Sequence, residues 1–70
     1  MSSAAVELLR GLLVEGWTID YVRVSEPHAS AILASGLLQA DAVLAPEPGD
    51  EAGRIVVVTP EATFDAVVPV

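Results

Sequence analysis

Apolar residues recur with a helical period in the first part of this chain and crowd into strand-like runs in the last. Between Ala4 and Glu15, the residues Ala5, Leu8, Leu9, Leu12 and Leu13 keep the spacing of one helical face. Val6 and Val14 widen that face. Ser2 or Ser3 can cap the helix by accepting a backbone N–H. Gly16 stands where a left-handed residue commonly ends a helix. Gly11 weakens the helix interior by about 1 kcal/mol relative to alanine, and close approach of another backbone is one reason for a glycine there.

From Trp17 to Val24 the pattern predicts a strand entered directly from the helix. Strand alternation sets Trp17, Ile19, Tyr21 and Arg23 on one side and Thr18, Asp20, Val22 and Val24 on the other. Neither side is purely polar, so contacts on both faces are expected. Ser25-Glu26-Pro27-His28 reads as a helix start: a capping serine, an acid at the positive end of the dipole, and a proline in the first turn. A second helix is predicted from Glu26 to Ser35, stopped by Gly36. The apolar run Ala29 to Leu38 also fits a strand, because short apolar runs do not separate the two.

Asp41 to Ala45 predicts a short strand. Pro46 to Gly53 predicts a loop, with two prolines and two glycines in eight residues. Arg54 to Thr59 carries Ile55, Val56, Val57 and Val58 in a row, as a central strand does. Thr59 to Thr63 reads as a hairpin connection in which Pro60 sets the turn. Phe64 to Val70 is the returning strand, with Phe64, Ala66, Val68 and Val70 on one face, and Pro69 confines it to an edge. The order α-β-α-β-β-β over residues 1–70 predicts a single small α+β domain. It would have a mostly antiparallel sheet with one or two helices packed on one face. The other sheet face is then also rather apolar, with Val22, Val24, Val57 and Val67 as candidates for it.

Size turns that apolar surplus into an expectation. The chain has 70 residues, 53% of them hydrophobic. A domain this small buries only about 60% of the surface its unfolded chain exposes. Small scaffolds compensate with disulfides, metals or a partner, and here there is no cysteine for a disulfide or a thiolate metal site. A homo-oligomer, most simply a dimer, is the expected stabiliser. The cysteine-free composition fits a cytoplasmic protein. No stretch approaches the roughly 20 apolar residues of a membrane span. Without a basic region before its apolar run, the N-terminus does not read as a signal peptide.

Charge narrows the partners. Ten acids stand against three arginines, for a net charge of −7. Only Arg10, Arg23 and Arg54 could neutralise phosphates, so nucleic acid and anionic membrane are not expected partners. A protein partner is, although acidity also serves solubility alone.

Reactive groups are sparse, and no catalytic residue, metal ligand or cofactor is assigned. His28 lies near Glu26 and Ser30, but a Ser–His–carboxylate set is defined by geometry rather than by local sequence. A surface histidine in the first helical turn is expected instead. Glu47, Asp50 and Glu51 lack the ligand spacing of a calcium loop and read as a solvated turn. Gly49 and Gly53 form no phosphate-binding motif. Trp17 and Tyr21, with Arg23 at their rim, form an aromatic strip of the kind that anchors interfaces, although Trp17 also suits a core position under the first helix. These observations favour a small non-enzymatic protein-interaction module that self-associates through apolar surface, of an accessory, inhibitory or regulatory kind. Its interaction candidates are Trp17, Tyr21, Arg23, Glu47, Asp50 and Glu51. Two alternatives stay open: an acidic nucleic-acid mimic that blocks a DNA-binding protein, and a small oligomeric enzyme or ligand-binding protein with an intersubunit pocket.

Overall fold

Ser3 starts the first helix in the computed structural model, which describes residues 3–47 and 53–68. Its backbone is extended, and its hydroxyl accepts the Ala5 N–H at 3.1 Å. One of the otherwise unpaired donors of the helix start is thereby satisfied. Helix α1 runs Ala4–Val14 and buries Ala5, Val6, Leu9 and Leu12. Leu8 and Leu13 are half-buried against the same cluster, whereas Val14 is exposed. Gly11 is exposed too, and a Cβ added to it would meet nothing within 4 Å. No described residue makes the close approach that a glycine at position 11 would allow. Gly11→Ala is expected to stabilise the fold by about 1 kcal/mol. The change reads as a higher urea midpoint at an unchanged slope.

The end of α1 explains where the first strand begins. The Gly16 N–H bonds to the Leu13 carbonyl and the Trp17 N–H to the Leu12 carbonyl, both at 3.1 Å. This double closure needs a left-handed residue, and Gly16 supplies it at φ 97. The Trp17 N–H is thus used to finish the helix and cannot serve a sheet ladder. Strand β1 accordingly spans Tyr21–Ser25 rather than beginning at Trp17.

Helix α2 occupies Glu26–Ser35, which settles the ambiguous apolar run as helix, and Gly36 ends it at φ 69. Ser25 holds the N-cap position but its side chain makes no capping bond. It is the last residue of β1 and is buried, so the cap expected there does not form. The helix links β1 to β2, Val43–Glu47, and the two strands pair in parallel, an arrangement that requires such a crossover. β2 begins later than the pattern predicted. The Ala42 N–H closes a turn onto Gln39, while the Val43 N–H reaches the Asp20 carbonyl at 2.9 Å. It also includes Pro46, which an edge strand tolerates.

Strands β3, Arg54–Val58, and β4, Thr63–Val67, form an antiparallel hairpin. Thr59 ties its turn: the N–H and hydroxyl both donate to the Ala62 carbonyl at 2.8 Å, and the Ala62 N–H returns to the hydroxyl at 2.9 Å. The bonded turn begins the return strand at Thr63, and Pro69 and Val70 lie outside the described residues. The result is an α+β fold of two helices and a four-stranded mixed sheet in the order β2-β1-β3-β4.

The core lies on one side of that sheet. Val22 and Val24 of β1 and Ile55 and Val57 of β3 are completely buried, together with Leu9 and Ile32 of the helices. Leu44, Phe64 and Ala66 extend the cluster along β2 and β4. The assignment of Val22, Val24 and Val57 to an uncovered face is thus reversed. They lie on the two central strands beneath the helices, and only Val67 faces outward.

Candidate functional site

The other side of the sheet is laid out by register. One row across the strands reads Val43, Tyr21, Val58, Thr63, and the next reads Ala45, Arg23, Val56, Asp65. Beyond them Ser25 pairs with Glu47, and Arg54 with Val67. Side chains alternate along a strand, so all of these lie opposite the helix-covered face. No element among the described residues packs over them, although Ser25 itself is buried. Val43 is 55% exposed and Val67 85%, while Tyr21, Val56 and Val58 are half-buried by their neighbours in the sheet.

Two ion pairs cross this surface. Arg23 Nη2 donates to Glu47 Oε1 at 2.6 Å. Arg54 grips Asp65 with two bonds, Nε to Oδ1 at 3.0 Å and Nη2 to Oδ2 at 2.6 Å. Between them lies a shallow groove of about 280 Å³ lined by Arg23, Glu47, Arg54 and Val56. Hydrogen bonds from Arg54 hold the Asp65 carboxyl below its ordinary value of 3.8, overcoming the opposite push of desolvation and aided by the arginine's charge. A depressed folded-state value contributes stability above pH 3.8 that is lost as pH falls through the lower folded value. Asp65→Asn is therefore expected to lose less stability than the parent chain between about pH 6 and pH 3, measured as urea midpoints.

The residues expected to act together are divided by the sheet. Trp17 lies on the helix side, edge-on to Phe64 with ring centroids 5.1 Å apart and planes at 85°. Tyr21 and Arg23 lie on the open side, so the aromatic strip does not exist. Its premise was that Trp17 belonged to the strand. Glu47 is the last residue of β2 and not part of a loop. Asp50 and Glu51 lie outside the described residues. His28 is buried, contrary to its expected surface position. Its Nδ1 shares a hydrogen bond with the Ser3 hydroxyl, tying the start of α2 to the cap of α1. Its Nε2 has no partner among the described residues, and no group of three metal-ligating side chains occurs among them.

Arg54, Val56 and Asp65 escaped the sequence reading as site residues. The signal for them was present. Arg23, Arg54, Thr63 and Asp65 all fall on one parity of their strands, which marks the side turned to water. No protein-family model, curated protein or solved structure matches this chain.

Proposed function

We propose that the chain is a small non-enzymatic protein-interaction module that associates with itself through apolar surface, in an accessory, inhibitory or regulatory role. The observation that supports this most is the second sheet face. It presents Val43, Val56, Val58 and Val67 around Tyr21, with no covering element among the described residues. Exposed apolar surface of this kind, rimmed by charge, is characteristic of interaction sites. No helix among the described residues is long and apolar enough to cross a membrane.

The edges of the sheet make poorer docking sites than its face. β2 carries Pro46, which lacks an N–H, and β4 places Asp65 at its centre. Both are devices that discourage strand addition. The competing readings draw less support. Three carboxylates a nucleic-acid mimic would display, Glu7, Glu47 and Asp65, are engaged by arginines at 2.6 to 2.7 Å. An intersubunit pocket built from His28, Tyr21 and Arg23 is weakened by the burial of His28 on the far side of the sheet.

Sedimentation velocity over a concentration series tests the reading. A weight-average mass that rises with concentration is expected. A monomer at every concentration up to about 1 mM, where binding is worth only about 4 kcal/mol, would overturn it.

A further inference from the structure

We infer that the open sheet face docks on the same face of a second copy, with Arg54 set against the partner's Glu47 and Arg23 against the partner's Asp65. This rests on the self-association proposed above and identifies the surface and the geometry that would carry it.

Charge selects the occupant. Elsewhere on the described surface Glu7, Glu15, Asp20, Glu26, Asp41 and Glu61 are exposed, against Arg10 alone. Two copies approaching over that surface repel each other. The open face is different: among the described residues, Arg23 and Arg54 stand there with Glu47 and Asp65. Val43 and Val67 are exposed there as well, as Val14 and Leu33 are on the helices. A basic partner would be drawn to the acidic remainder, whereas a balanced, partly apolar face fits another balanced, partly apolar face.

Register supplies the geometry. A two-fold axis running along the strands, between the stacked sheets, sets β1 over the partner's β3 and β2 over the partner's β4. Tyr21 then meets the partner's Val58, and Arg23 lies over the partner's Val56, beside the partner's Asp65. Arg54 comes to rest over the row that holds the partner's buried Ser25 and, beside it, the partner's Glu47. Symmetry repeats each contact, as a two-fold interface requires. The alternative axis, across the strands, would set Arg23 against itself. The footprint is small. Four strands of five residues cover about 19 by 16 Å, or about 300 Å². Such an area places the pair among weak, transient interfaces.

Reciprocal charge reversal tests the pairing. Arg54→Glu alone and Glu47→Arg alone each create two like-charge contacts per dimer, and each should raise the dissociation constant at least about tenfold. An equimolar mixture of the two variants pairs opposite charges at both positions and should associate at close to the parental strength. Sedimentation of each variant and of the mixture reads the result, with circular dichroism confirming that both are folded. If either one unfolds, Arg23→Glu mixed with Asp65→Arg makes the same test on the other pair. A mixture that stays monomeric while the parent chain dimerises would overturn the geometry and leave self-association standing. A single variant that dimerises as the parent does would also overturn it. A parent chain that never dimerises would remove both readings together.

Discussion

Replacing Ile55 with alanine is expected to lower the unfolding free energy by about 3 kcal/mol. Ile55 is completely buried near the start of β3, with Val24 and Ala66 as its neighbours on the adjoining strands. β3 is held by ladders on both sides, so the backbone cannot sink into the space a truncation leaves, and the cavity persists. A domain of this length has a total stability of about 4 to 10 kcal/mol. One truncation therefore removes about 30% or more of what holds the chain folded. In a small domain each kcal/mol moves the melting temperature by about 4 to 8 °C, so a fall of at least about 12 °C is expected by circular dichroism. Val67→Ala is the internal control. Val67 is 85% exposed, and its truncation should shift the transition by little. Equal effects at the two positions would contradict the one-sided core.

Trp17→Ala is the second large effect, also about 3 kcal/mol. The indole follows the glycine stop of α1 and reaches β4, where its ring meets Phe64 edge-on. It therefore joins the C-terminal end of the first helix to the last strand, two elements far apart in the chain. Its loss exposes Phe64 and removes the apolar contact that accompanies this type of helix end. Trp17→Phe keeps an aromatic edge in place and should cost under about 1.5 kcal/mol. A double-mutant cycle with Phe64→Leu should return a coupling of about 0.5 to 1.5 kcal/mol for the ring pair. Zero coupling would mean that Trp17 acts through burial alone.

Helix α1 and the glycine after it could be read directly from the spacing of leucines, and the element order followed from the same kind of pattern. What the pattern misplaced, it misplaced for physical reasons. The first strand looked longer than it is because Trp17 and Ile19 have strand-forming side chains, while the backbone N–H that decides the matter was committed to the helix end. Pro46 looked like a loop residue because its edge position is a property of the whole sheet. The two faces were exchanged because valines occupy both sides of β1 and β3: Val22, Val24 and Val57 inward, Val56 and Val58 outward. Hydropathy cannot separate such sets, whereas the positions of the charged residues can. Arg23, Arg54 and Asp65 share the parity of the outward valines, and that is the side the helices leave bare. His28 was misjudged from its type and its place in a first turn, because its partner, the Ser3 hydroxyl at the cap of α1, is far away in the chain.

The treatment of the sheet's two edges has a consequence for how large any assembly can become. With a proline on one outer strand and a carboxylate at the middle of the other, the ladder is discouraged from lengthening sideways. That leaves the face as the docking surface proposed above. Two copies that met over it would each have used that face, so the proposed association would stop at a pair and would not seed a fibre.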